Sequence, residues 1–131
     1  MSETGQVFLA KAEESLAGAE SEFANGRYNN CANRCYYASF QAAIYALTQA
    51  GITARGNQWG HDFVQAEFVG TLINRHKLYS RNLRDVLIRN LELRHVADYR
   101  LNQVSQKQAS RALRRTRDFL AAIRSQGGET I

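Results

Sequence analysis

Residues 31–47 read CANRCYYASFQAAIYAL, and this stretch decides the fold. Small side chains recur along it at helical steps of three and four, namely Cys31, Cys35, Ser39, Ala42 and Ala46. Such a stripe lets a neighbouring helix approach closely. A second stripe beside it supplies core volume through Tyr36, Phe40, Ala43 and Leu47. The pattern predicts a helix over about residues 28–51 that packs among other helices.

The rest of the sequence predicts four more helices and no strand. Apolar residues recur at helical spacing over roughly residues 5–24, 61–74, 80–101 and 105–124. The chain has no proline, so long helices are not interrupted. Helices of this length with short connections favour antiparallel neighbours. We therefore predict one all-α domain over residues 1–131, an up-and-down bundle of four or five helices with flexible tails at 1–5 and 125–131.

The same periodicity predicts which positions of each helix face the core. In the third helix these are Phe63, Ala66, Val69 and Ile73. In the fourth they are Leu83, Val86, Leu87, Ala97 and Leu101. In the last they are Ala109, Ala112, Thr116, Phe119 and Ile123, with Ser105 as the N-cap.

Charge is distributed unevenly along the chain. Residues 1–24 hold five glutamates and one lysine, whereas residues 75–124 hold 13 basic and four acidic residues, a net charge of +9. Two interpretations stay open. The basic half binds a polyanion such as RNA, or the acidic first helix lies beside the basic helices.

Several classes of protein are not indicated. The sequence has no glycine-rich phosphate loop, no HExxH or GxSxG motif and no EF-hand loop. It has no signal-peptide pattern and no apolar run long enough to span a membrane. Cys31 and Cys35 are too few for a zinc cluster and are expected to be structural thiols in a reducing compartment. We expect a cytoplasmic protein without a metal or cofactor and without membrane association.

The candidate chemistry lies in residues 89–99, which read RNLELRHVADY. Steps of four pair Arg94 with Asp98 and His95 with Tyr99 on a helix. Arg89 and His95 are six residues apart, which separates them by about 120° and about 9 Å of rise. They would have to converge on one substrate in a cleft, or across a two-fold axis between two copies. The alternative is a helix surface laced by ion pairs that contribute a few tenths of a kcal/mol each.

The other two histidines, His61 and His76, are weaker candidates for a catalytic or metal-binding role. His76 lies in a basic turn and is expected to be exposed to solvent. His61 follows Trp59-Gly60 and is expected to cap or pack at the start of the third helix. Neither has acidic partners at the spacing of metal ligands.

A family resemblance rests on these motifs. Arg89-Asn90 followed by His95 resembles the R-x(4–6)-H signature of HEPN domains, and residues 94–99 resemble the R-x-x-A-D-Y signature of one branch of small bacterial and archaeal HEPN proteins. Residues 26–43 are similar to that branch's second helix. The resemblance implies a four- or five-helix bundle, usually a homodimer. Its catalytic members are metal-independent endoribonucleases, often toxins paired with a nucleotidyltransferase-like antitoxin.

The resemblance implies two overlapping sets of site residues. Arg89, Asn90 and His95 match the catalytic motif. Histidine can transfer protons near neutral pH, arginine suits phosphate oxygens, and the asparagine would hold the phosphate or the attacking 2′-hydroxyl. Arg94, Asp98 and Tyr99 form a supporting or ligand-binding cluster, in which Tyr99 is a candidate acceptor of a transferred nucleotide. If only the second set matters, the protein is a non-catalytic module that docks a nucleotidyltransferase partner or a nucleotide.

Overall fold

The helix predicted from residues 31–47 is the central element of the fold. In a computed structural model, which describes residues 3–128 and the side chains of residues 5–126, this helix packs against all the other α-helices. The five α-helices are α1 Glu3–Ala24, α2 Tyr28–Gln49, α3 His61–Glu67, α4 Val86–Tyr99 and α5 Gln106–Gly128. A π-helical segment, Phe68–Arg75, continues α3, and a 3₁₀ turn, Arg81–Leu83, precedes α4. The described range contains no strand, so the predicted all-α bundle is confirmed.

The first and last helices extend into the segments predicted as tails. Helix α1 begins at Glu3, and the backbone of α5 stays helical through Gly128. These helices overlap the segments 1–5 and 125–131, and the flexibility predicted for those segments stays a prediction. Residues 1–2 and 129–131 lie outside the described residues.

A polar layer divides the core into two apolar clusters. The larger cluster contains Ala42 of α2, Leu87 of α4 and Phe119 of α5. The smaller one contains Cys31 and Cys35 of α2, Leu93 of α4 and Ala112 of α5, and both cysteines are free thiols. Between the clusters lie three buried polar side chains, one from each helix, namely Ser39, Asn90 and Thr116. Because these polar groups must meet one another, the layer fixes the axial register of α2, α4 and α5.

The core-facing stripe of the third helix differs from the prediction. Val64, Phe68, Leu72 and Ile73 are buried, whereas Ala66 is exposed. The larger residues at steps of four bury more apolar surface than the stripe Phe63, Ala66 and Val69 would. Phe68 alone contacts Phe119 and Tyr79, with ring centroids 5.1 and 5.3 Å apart. Of the predicted stripe, only Ile73 is buried.

The fourth helix ends before Leu101, which the sequence pattern predicts to face the core. Arg100 adopts an extended conformation after Tyr99, and Leu101 is carried into solvent, with 103% relative exposure. The last helix agrees with the prediction. The Ser105 hydroxyl accepts a hydrogen bond from the Gln108 amide at 3.1 Å, and the Gln108 side chain accepts one from the Ser105 amide at 3.0 Å, which forms a reciprocal cap.

The acidic first helix lies beside the basic last helix. Arg117 pairs with Glu20 at 2.7 Å, and Arg124 pairs with Glu13 at 3.3 Å. The intramolecular interpretation of the charge distribution is thus correct for these two arginines. It does not account for the arginines on the side of α5 that faces α4.

Candidate active site

The orientation of α4 separates the two predicted catalytic side chains. Val86, Leu87, Asn90 and Leu93 are buried against the bundle. Arg89 lies on the side of α4 that faces α5 and is exposed, with its nearest carboxylate, Asp85, 4.0 Å away. His95 lies elsewhere on the helix, partly exposed, with its ring 6.0 Å from that of Tyr99. A single copy of the chain does not bring Arg89 and His95 into one cleft.

Asn90 lies in the interior, with 1% relative exposure. Its Nδ2 donates to the Thr116 hydroxyl at 2.9 Å, to the Ser39 hydroxyl at 3.1 Å and to the Cys35 carbonyl at 3.3 Å. Its Oδ1 accepts a hydrogen bond from Arg115 Nε at 2.7 Å. All its polar atoms are therefore engaged within the protein. The Asn90 amide is therefore not available to bind a phosphate or a 2′-hydroxyl. Its role is to position other side chains, Arg115 among them.

Arg94 and Asp98 connect α4 to α2. Arg94 Nε lies 3.2 Å from Asp98 Oδ2, and the Asn33 amide donates to both carboxylate oxygens of Asp98, at 3.1 and 3.4 Å. The Arg94 guanidinium carbon lies 5.2 Å from the ring centroids of both Tyr36 and Tyr37, within the range of a cation–π contact. The helix-2 and helix-4 motifs noted in the sequence thus meet in one packed cluster.

Tyr99 is the most accessible residue of the candidate site. Its side chain is 72% exposed, so it is not a core residue. Ile88 also faces solvent from α4. The outer surface of α4 therefore presents Ile88, His95 and Tyr99, which share one side of the helix by their spacing.

The sequence indicates only a capping or packing part for His61, and the structure places this residue near the site. It opens α3, and its Nδ1 lies 3.0 Å from the Tyr36 hydroxyl. Burial lowers the pKa of His61 below its ordinary value, and the charges of His95 and Arg94 act in the same direction, against Asp62. No sequence signal links His61 to His95, because they lie on different helices 34 residues apart. His76 is exposed, as predicted.

Among the described residues, no group of three histidine, cysteine, aspartate or glutamate side chains is gathered as metal ligands. Within the same range, no helix combines the length and the hydropathy needed to cross a bilayer.

A model of the HEPN domain family matches residues 6–126, nearly the whole chain. The chain belongs to the HEPN family. This confirms the resemblance seen in the α2 and α4 motifs. HEPN domains are typically nucleases or nucleotide-binding modules, and they often bind RNA and dimerise. No curated protein matches the sequence significantly.

Proposed function

We propose that this HEPN protein is a metal-independent endoribonuclease, the toxin of a toxin–antitoxin pair with a nucleotidyltransferase-like partner. The observation that carries the proposal is the solvent-facing surface of α4, where the His95 imidazole is partly exposed and the guanidinium of its chain neighbour Arg94 is held by Asp98 and the Tyr36 ring. Imidazole transfers protons near neutral pH, and a guanidinium stabilises charge on phosphate oxygens. These are the two kinds of group that metal-free RNA cleavage requires.

The reaction is an internal transesterification. The 2′-hydroxyl gives its proton to a base and attacks the adjacent phosphorus, while the bond to the 5′-oxygen breaks and that oxygen receives a proton from an acid. The products are a 2′,3′-cyclic phosphate and a 5′-hydroxyl. The growing charge on the phosphorane is stabilised by cations, and we assign this role to Arg94, which Asp98 and Tyr36 hold in place, and to the exposed Arg89.

A homodimer would complete this site. Arg89 and His95 of one copy do not share a cleft, but two copies packed through the outer surface of α4 would bring Arg89 of one copy towards His95 of the other. The exposed Ile88 and Tyr99 on that surface support such a contact, because apolar groups favour burial. In the dimer, one His95 acts as the base and the other as the acid.

The test compares His95→Ala with His76→Ala on an end-labelled RNA in the presence of EDTA. Loss of a general acid or base is expected to slow cleavage by about 10²- to 10⁴-fold. His76 is exposed in a turn, so its variant is expected to cleave like wild type. Equal cleavage by wild type and His95→Ala would show that the proposal is wrong. Unchanged circular dichroism of both variants shows that folding is intact.

A second candidate is a non-catalytic module that docks a nucleotidyltransferase-like partner or a nucleotide. It is favoured by the engagement of Arg94 and Asp98 with α2, which gives these signature residues a structural part. Tyr99 presents an exposed hydroxyl that would accept a nucleotide by attack on the α-phosphorus of ATP, with pyrophosphate leaving. Stable complex formation by His95→Ala, with no RNA cleavage by wild type, would favour this function. Intact mass after incubation with the partner and ATP tests the transfer.

A further inference from the structure

Three arginines line one groove between α4 and α5, on the side of the bundle away from the Arg94 cluster. Arg89 comes from α4, and Arg111 and Arg115 come from α5; Gln108 and Glu92 complete the polar lining. The groove has a volume of about 330 Å³. The three arginines share the groove with one carboxylate, Glu92, and Arg89 lies 4.0 Å from a second, Asp85, so the groove carries a net positive charge and attracts anions.

Arg115 differs from the other arginines of α5 in being partly buried, whereas Arg111, Arg114, Arg117 and Arg124 are exposed. Arg117 and Arg124 are paired with glutamates of α1. Arg115 is only partly exposed, and among the described residues no carboxylate lies within ion-pair distance of it. Burial lowers the pKa of Arg115 below its ordinary value, and the charge of Arg89 acts in the same direction. An arginine nevertheless stays protonated, so the fold holds a partly desolvated cation with no carboxylate of the described residues at ion-pair distance.

Asn90 fixes this cation in place. Arg115 donates a hydrogen bond from Nε to Asn90 Oδ1. Asn90 is itself held by hydrogen bonds to Ser39 of α2 and Thr116 of α5. Within residues 5–126, neither terminal amino group of Arg115 has a hydrogen-bond partner. The two terminal groups form a fork that matches two oxygens of a phosphate. A cation that is already oriented loses little entropy when the anion binds.

We propose that this groove binds a backbone phosphate of single-stranded RNA, with Arg115 as the fixed contact and Arg89 and Arg111 beside it. The inference rests on the proposed function and adds a substrate-binding site to it. Among the residues whose side chains the structure describes, no aromatic ring lines the groove, so these residues offer no platform for stacking a base. It therefore contacts the backbone without reading the sequence. Because His95 does not line the groove, Arg115 is a binding residue, and Asn90 is a positioning residue that acts through it.

The experiment measures binding of a 2′-O-methyl oligoribonucleotide, which has no free 2′-hydroxyl and cannot be cleaved. Fluorescence anisotropy gives Kd over a series of KCl concentrations for wild type, Arg115→Gln, Arg111→Gln and Arg117→Gln. All three variants lose one positive charge, but Arg117 lies outside the groove and is paired with Glu20. We expect Kd to rise about tenfold in Arg115→Gln. The slope of the logarithm of the binding constant against the logarithm of the KCl concentration should become less steep by about 0.7 for each phosphate contact that is lost. We expect this change in Arg115→Gln and Arg111→Gln and not in Arg117→Gln.

Equal weakening in all three variants would overturn the proposal, because the binding would then follow net charge alone. Unchanged slopes in both groove variants would also overturn it. If Arg115→Gln does not fold, Arg111→Gln decides, since Arg111 is exposed and the structure gives it no packing part. The assay is independent of catalysis: slower cleavage by His95→Ala with normal binding tests the proposed function, and weaker binding by the groove variants tests the groove.

Discussion

Replacing Asn90 with alanine tests the polar layer that divides the core. The side chain makes four hydrogen bonds inside the protein, one of them to the charged Arg115. A bond to a charged group contributes about 1.5–3 kcal/mol, and a neutral bond about 1 kcal/mol. The hydroxyls of Ser39 and Thr116 keep their own acceptors, the carbonyls of Tyr36 and Ala112, which limits the loss. We expect Asn90→Ala to lower the free energy of unfolding by about 3–4 kcal/mol, a large part of a domain's total.

Urea denaturation followed by circular dichroism measures this change. Asn102→Ala, in the exposed loop after α4, is the matched control and should stay within about 0.5 kcal/mol of wild type. Thr116→Val removes one partner at nearly constant shape and should cost about 1 kcal/mol. A double-mutant cycle between Asn90→Ala and Arg115→Gln should show a coupling of about 1.5–3 kcal/mol. A decrease below about 1 kcal/mol for Asn90→Ala would refute the hydrogen-bonded layer, and zero coupling would refute the anchoring of Arg115.

Two further predictions concern the third helix. Its first residue, His61, has a lowered pKa in the folded protein, so the unfolded chain binds its proton more readily. The free energy of unfolding should therefore be greatest above pH 6.5 and should decrease as the pH falls below 6.5. Urea denaturation at several pH values should show a smaller decrease for His61→Gln than for wild type. An equal decrease in both proteins would contradict this prediction. Phe68→Ala should cost about 3–5 kcal/mol by leaving a cavity against Phe119, whereas Ala66→Glu should be nearly neutral. A large destabilisation by Ala66→Glu would show that the helix faces the core as the sequence pattern indicates.

Local pattern is a reliable guide where the residue types themselves dictate the structure. The small-residue stripe of α2 is buried as predicted, because only small side chains permit close helix contacts. Ser105 caps α5 as predicted, because the cap is made by residues three apart in sequence. The predicted inner stripe of the third helix is wrong, since two overlapping apolar stripes compete there and only tertiary packing, against α2 and against Phe119 of α5, selects the one containing Phe68. The prediction for Leu101 is wrong because the end of α4 depends on the backbone turn at Arg100.

The sequence by itself determined the all-α class, the central helix, the capped last helix and membership of the HEPN family, since each depends on residue types at short and fixed spacing. Only the tertiary structure decided the parts played by the polar residues. In the sequence, Asn90 is a candidate catalytic residue beside Arg89, but the structure buries it against Ser39 and Thr116. These partners lie 51 and 26 residues away, so the sequence around Asn90 does not reveal them. Arg115 and Arg117 are the same residue type on the same helix. Arg115 donates a hydrogen bond to the Asn90 side chain and lines the groove, whereas Arg117 forms an ion pair with Glu20. The physical reason is that the hydrogen bonds and the desolvation of a polar side chain depend on which other helices pack against it. The spacing of residues along α4 or α5 does not predict that packing.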